Sequence, residues 1–266
     1  MSFKVRITSL WKKFENLFLV NHACLACRRE IPDDTRFSIC KDCLDNIEKI
    51  EGNVCKVCGE SILDGNSYCD VCKSNKFDFD QSRSFARYLD VSSAIVKRFK
   101  YGSKKYYGKY IAELMFENKA YFDGVDYLTF VPIGDKRRKD RGFNQAEEIA
   151  VNLGKLLNIP VVDLLTKKGN ERHQAGLSQK ERQANLSGSI LLKDCDEVIK
   201  DKVVMIIDDV FTTGSTLSEC AKVLKSNKAN KPSKIYCYTF AKTVYNSTNI
   251  GQKQQNNNKT EEIKLN

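Results

Sequence analysis

Long hydrophobic runs are missing from this sequence. No stretch approaches the roughly 18 consecutive apolar residues of a membrane-spanning helix, which excludes a transmembrane segment of that kind. The N-terminal residues also lack an unbroken apolar core, because Lys12, Lys13 and Glu15 interrupt it, so no signal peptide is expected. The expected location is therefore cytoplasmic, where disulfides are rare. Histidine is nearly absent, with only His22 and His173. His173 reads as a surface or loop histidine rather than a catalytic base. Acidic residues are missing altogether between Val91 and Ala112, and apolar residues are sparse from Cys24 to Cys72.

What that last stretch holds instead is cysteine. Eight of the 11 cysteines fall into four Cys-x-x-Cys pairs: Cys24 and Cys27, Cys40 and Cys43, Cys55 and Cys58, Cys69 and Cys72. Each pair can place two thiolates on one tetrahedral ion, and two pairs close a Cys₄ shell. A short polar segment cannot build a core, so a structural Zn²⁺ must replace one. Disulfides are the competing account, which a cytosolic setting disfavours. Redox catalysis would not require four copies. Pairing in chain order (24, 27, 40, 43, then 55, 58, 69, 72) keeps the loops short, and a crossed pairing remains open. With two sites filled by cysteine, His22 reads as a bystander. Cys195, Cys220 and Cys237 stand alone and read as small apolar residues.

The chain is organised around residues 203–216, VVMIIDDVFTTGST. Five apolar residues in succession predict a strand buried on both faces, as in a parallel sheet covered by helices. Asp208 and Asp209 follow where that strand should end. Thr212, Thr213, Gly214, Ser215 and Thr216 come next, and Leu217, Cys220, Ala221 and Leu224 then fall at helical spacing. Backbone N–H groups of such a loop and the helix N-terminus favour a phosphate, and the hydroxyls add donors. Gly214 is expected to let the backbone approach that phosphate. The two carboxylates would repel it, so they should face ribose hydroxyls or a Mg²⁺ ion. The stretch resembles the 5-phosphoribosyl-1-pyrophosphate (PRPP) motif of type I phosphoribosyltransferases. The bland alternative is a carboxylate pair ending a strand of some other doubly wound sheet.

Elsewhere the pattern is coarser. Residues 1–23 form an N-terminal amphipathic segment with Leu10, Phe14, Leu17 and Phe18 on one stripe. Residues 24–80 are the zinc-binding module, ending in a polar connection at 73–82. Residues 81–243 are the α/β domain, and 244–266, rich in Asn, Gln and Lys, read as a disordered tail. Strands are expected at 84–89, 127–133, 161–165, 189–192 and 234–241. A helix from Val91 runs into a basic stretch in which Phe99, Tyr101, Tyr106 and Tyr107 alternate with cations. Arg98, Lys104 and Lys105 make single-stranded DNA a candidate partner there, a solvated lysine face being the alternative. The segment 134–145 is expected to be a basic loop opening beside the aspartates. Its Arg137, Arg138 and Arg141 suit the bidentate recognition of pyrophosphate. Ile149, Ala150, Leu153 and Leu157 mark the helix after it. The polar segment 167–188 is long enough to be a lid. A formal charge of +10 agrees with anionic ligands in general.

Taken in order, these pieces resemble the ComF family. The resemblance rests on the cysteine pairs, on Arg141-Gly142-Phe143-Asn144-Gln145-Ala146, on Gln174, Leu177, Ser178, Arg182 and Asn185, and on the PRPP motif. It implies a type I phosphoribosyltransferase fold, a parallel sheet flanked by helices behind a Cys-rich zinc module, with PRPP and Mg²⁺ as ligands and a link to DNA uptake in natural competence. It implies a reaction in which an acceptor nitrogen displaces pyrophosphate. Asp208 and Asp209 would hold the ribose and stabilise developing positive charge, residues 212–216 would hold the 5-phosphate, and Mg²⁺ with the arginines would take the pyrophosphate. Two other classes stay open: a nucleic-acid-binding protein keeping the site as a sensor or phosphate pocket, and an adaptor whose zinc module recruits DNA-uptake or helicase proteins. No nucleobase-recognition element stands out, and the acceptor is not legible.

Overall fold

The computed structural model describes residues 23–32, 36–63, 65–102, 104–168, 188–194 and 197–244. The expected N-terminal helix, the 169–187 part of the expected lid, the tail from 245, both histidines and Cys195 lie outside the described residues, as do Gln174, Leu177, Ser178, Arg182 and Asn185. Among the described residues no helix is long and apolar enough to cross a membrane.

Two knuckled segments open the chain, each carrying one short helix, α1 (Lys41–Asp45) and α2 (Asp70–Ser74). Strand β1 (Gln81–Arg87) and helices α3 (Asp90–Tyr101) and α4 (Tyr107–Met115) follow. Then come β2 (Tyr127–Phe130), α5 (Asp135–Arg141), α6 (Gln145–Leu157), β3 (Leu165–Lys167) and β4 (Ile190–Leu192). The chain closes with β5 (Val203–Phe211), α7 (Ser215–Ser226) and β6 (Lys234–Lys242). Strands β1, β6, β5 and β2 form one sheet in that order, every pairing parallel. Helices cover it, and the apolar run of β5 is buried as its composition requires: Val204, Met205, Ile206 and Ile207 are all in the core.

Three helices show why the local sequence folds as it does. α6 starts at Asn144, whose side chain accepts from the Ala146 amide at 3.1 Å and donates to the Val131 carbonyl at 3.0 Å, so one residue caps the helix and ties it to the loop after β2. Its Ile149, Ala150 and Leu153 face the sheet. α7 buries the four residues whose spacing announced it, Leu217, Cys220, Ala221 and Leu224. In α3, Ile95, Val96 and Phe99 are buried.

Several expected boundaries move. The segment at 134–145 is largely helical: α5 ends at Gly142, whose positive φ of 77° is a common helix stop. The strand expected at 161–165 forms later, as β3, and pairs antiparallel with β4 outside the main sheet, leaving Val161 a single bridge to Leu128. The polar connection at 73–82 is anchored by Phe77 and Phe79, which stack at 4.8 Å and meet the ring of Phe211 edge-on. The Cys-rich segment thus lies against the sheet.

Candidate functional site

The cysteines form two clusters in chain order, Cys24, Cys27, Cys40 and Cys43, and Cys55, Cys58, Cys69 and Cys72, with the sulfurs of each cluster within 4.8 Å of one another. Sequential pairing is therefore the arrangement adopted, and all eight are free of disulfides. The Cys27–Cys40 and Cys58–Cys69 sulfurs lie 3.7 and 3.6 Å apart. Tetrahedral Zn–S bonds of about 2.3 Å require sulfurs roughly 3.8 Å apart, so both clusters fit Zn²⁺. Backbone amides of Ala26, Cys27 and Cys40 point at the Cys24 sulfur from 3.4 to 3.5 Å, which orients it toward the other three. Arg29 beside Cys27 holds that thiol down, at about 6, whereas burial pushes Cys58 up to about 11. Zinc binding must therefore release protons from buried thiols.

The second site forms where β5 outruns its neighbour. β2 stops at Phe130, opposite Ile207, while β6 continues beside β5 as far as Phe211. From Asp208 onward one flank of β5 is open, and the sheet gives way to a cavity of about 340 Å³. This is the crevice that open parallel sheets form at the carboxyl ends of their strands. The aspartates lie within β5, not after it as the apolar run suggested, because pairing to β6 holds the strand extended to Phe211.

Asp208, Asp209, Thr212 and Thr216 line the cavity with Arg137, Arg141, Lys100 and Lys167. Asp208 Oδ1 accepts from the Asp209 amide at 2.8 Å. Asp209 Oδ1 lies 2.9 Å from Lys100 Nζ, and Asp209 is buried. Burial and the neighbouring Asp209 charge push the Asp208 carboxyl up to about 7, against the pull of Lys100. Arg137 and Arg141 are one helical turn apart on α5, so both reach the cavity. Arg141 is steadied by a 3.0 Å hydrogen bond to Gln145 Oε1.

Other expected site residues take different places. Arg138 turns away and pairs with Glu147 at 2.6 Å. Thr213 and Ser215 hydrogen-bond each other at 2.9 Å, and Thr213 lines a separate cavity of about 400 Å³ between the second cysteine cluster and Phe211. The space that a side chain on Gly214 would need is filled by rings. A Cβ there would lie 2.7 Å from Phe211 Cζ and 2.9 Å from Phe77 Cε1, and the φ of 77° is left-handed. Glycine is required by this packing and by the turn, whereas the sequence reading assigned it to phosphate approach.

The basic stretch after Val91 is mostly engaged inside the molecule. Arg98 donates to the Leu25 carbonyl at 2.8 Å and to that of Ala26. Lys105 pairs with Glu148 at 2.9 Å, and Lys104 lies 5.9 Å over the rings of Tyr106 and Tyr107. Phe99 and Tyr107 are buried. Arg98 thus brackets the first cysteine cluster. Lys100 and Lys167 are the site residues that motif reading missed. A signal existed for Lys100: a cationic run without local acids must find its counter-charges elsewhere in the fold.

Residues 16–73 match the family model of a double zinc ribbon domain. The chain is 26% identical over 212 residues to Competence protein F of Haemophilus influenzae, covering 77% of this chain and 91% of that one. It is also 26% identical over 218 residues to Competence protein ComFC of Bacillus subtilis, covering 76% and 88%. Among solved structures, a hypoxanthine phosphoribosyltransferase from Staphylococcus aureus aligns with 53% of this chain and 74% of its own, at 16% identity and a TM-score of 0.33. The protein is a double zinc ribbon joined to a parallel sheet flanked by helices. Over about three quarters of its length it is similar to competence proteins F and ComFC.

Proposed function

We propose that this protein binds PRPP with Mg²⁺ in the cavity at the open end of β5, and that it serves natural competence, as the names of its relatives suggest. The observation that carries the reading is the convergence of opposite chemistries on one 340 Å³ cavity: an acidic pair on one wall, and Arg137, Arg141 and the Thr212 and Thr216 positions on the others. The aspartates would accept from the ribose hydroxyls. The start of α7 would take the 5-phosphate on backbone amides. Arg137 and Arg141, with Mg²⁺, would take the pyrophosphate. Such a site can run a transfer in which the acceptor nitrogen bonds to the anomeric carbon as the bond to pyrophosphate breaks and its electron pair leaves with that group. The acidic pair would stabilise the positive charge in between.

Calorimetry of the zinc-loaded protein with PRPP and Mg²⁺ tests the reading. Saturable binding is expected. Replacing both Asp208 and Asp209 with Asn should weaken it by roughly one to two orders of magnitude, since hydrogen bonds to charged groups contribute about 1.5–3 kcal/mol. Wild-type protein that binds no PRPP at saturating Mg²⁺ would overturn it. A survey of purine and pyrimidine bases for pyrophosphate release would then separate an enzyme from a PRPP-dependent sensor.

A further inference from the structure

Helix α3 touches both halves of the molecule. Arg98 reaches the first zinc ribbon, donating to the carbonyls of Leu25 and Ala26 between Cys24 and Cys27. Lys100 reaches the cavity, its Nζ 2.9 Å from Asp209 Oδ1. Residues two apart on a helix point to nearly opposite sides, so the helix is held from both. Between them Phe99 is fully buried, and Ile95 and Val96 pack one turn earlier, which leaves α3 little freedom to slide. The Lys100 and Asp209 side chains are only 24% and 10% exposed, so solvent screens the pair poorly.

The cavity holds other charges: Asp208 beside Asp209 on β5, Lys167 from β3, and Arg137 and Arg141 from α5. Two adjacent carboxylates repel each other; Asp208 is held by the Asp209 amide, and Asp209 by the cation beside it. Lys100 stands on a helix, not a loop, and so presents its charge to Asp209 from a fixed place.

Resting on the PRPP reading, we propose that Lys100 is a positioning residue of the sugar site. It fixes the Asp209 carboxylate and offsets part of the acidic pair's charge, so that ribose hydroxyls meet an acceptor already in place. Its own location is set by the seat of Arg98 on the first ribbon. The zinc ribbon thereby becomes part of the site's frame, through one helix.

The test compares wild type, Lys100→Met, which keeps the length and loses the charge, and Lys100→Arg, which keeps the charge. Each zinc-loaded protein carries ¹³C on its Asp side-chain carboxyls, with the Asp209 resonance assigned by its loss in Asp209→Asn. The Asp209 resonance should move in Lys100→Met and stay close to wild type in Lys100→Arg. PRPP affinity at saturating Mg²⁺ should fall about tenfold or more in Lys100→Met and stay within about threefold in Lys100→Arg. A resonance that does not move in Lys100→Met overturns the proposal. So does a resonance that moves while PRPP affinity is unchanged, which makes the pair purely structural. Failure of wild type to bind PRPP fells the sugar-site reading itself and this proposal with it. Binding by wild type with no loss in Lys100→Met fells only this proposal.

Discussion

Asp208 and Asp209 are neighbours in the chain and sit in different electrical surroundings. Asp209 has a lysine within 2.9 Å, whereas Asp208 is pushed up to about 7 by burial and by Asp209. An Asp in an unfolded chain titrates near 3.9, so between about pH 4 and 7 the folded protein keeps a proton that the unfolded chain has released. The stability tied to this carboxyl is complete below pH of about 4 and is lost as pH rises through about 7. Asp208→Asn cannot ionise and should escape that loss. Urea unfolding of both proteins at several values from pH 5 to 8 should show the mutant gaining on wild type as pH rises. A difference that stays constant across that range would mean the carboxyl titrates as an ordinary one. At Gly214 the expectation is steric. Gly214→Val must adopt a left-handed φ and push aside Phe211 and Phe77, so the loss should reach about 1–3 kcal/mol or more in denaturant unfolding, without any ligand present. Unchanged stability with weakened PRPP binding would return the glycine to its expected role at the phosphate.

At the scale of elements, α3 and α5 show how a run of like charge is divided by helical geometry. The sequence presents Arg137, Arg138 and Arg141 as one basic segment. In α5 the residues four apart share the cavity face, and Arg138 is turned to Glu147. Likewise 97–109 reads as one cationic stretch, yet Lys100, Lys105 and Lys109 are matched with Asp209, Glu148 and Glu113. Arg98 is spent on carbonyls of the first ribbon, and that has a measurable consequence. Arg98→Ala should cost about 1.5–3 kcal/mol per lost charged hydrogen bond and should speed zinc transfer to a chromogenic chelator. The salt dependence of any DNA binding should not change. A flattened salt slope with unaltered zinc release would instead make Arg98 a phosphate contact.

At the scale of the molecule, the ribbons and the sheet are packed as one body. Lys242 of β6, nearly buried, lies 3.6 Å from Glu60 of the second ribbon and 3.6 Å over the Phe211 ring. Arg83 of β1 donates to the Cys55 and Lys56 carbonyls at 3.3 Å. Phe77 leaves the ribbon to fill the space beside Gly214. Removing zinc should therefore unfold more than the ribbons. Elemental analysis should find two zinc ions per chain, and chelation should lower the melting of the whole protein, followed by tryptophan-independent signals such as far-ultraviolet circular dichroism. A sheet that melts at the same temperature with and without zinc would show that the halves fold separately.

The sequence by itself determined much of what depends on neighbours along the chain. The cysteine pairs, the apolar run of β5, the acidic pair and hydroxyl loop after it, and the 3.6-residue spacing in α6 and α7 are local patterns, and each element formed where its pattern lay. Tertiary structure decided what depends on partners far away. The end of β5 was set by β6 rather than by its own composition. Which arginines face the cavity followed from α5 being helical. Lys100 became part of the acidic site because its helix is wedged between a ribbon and a sheet, and a charge finds its partner by proximity in space, which spacing along a chain does not encode.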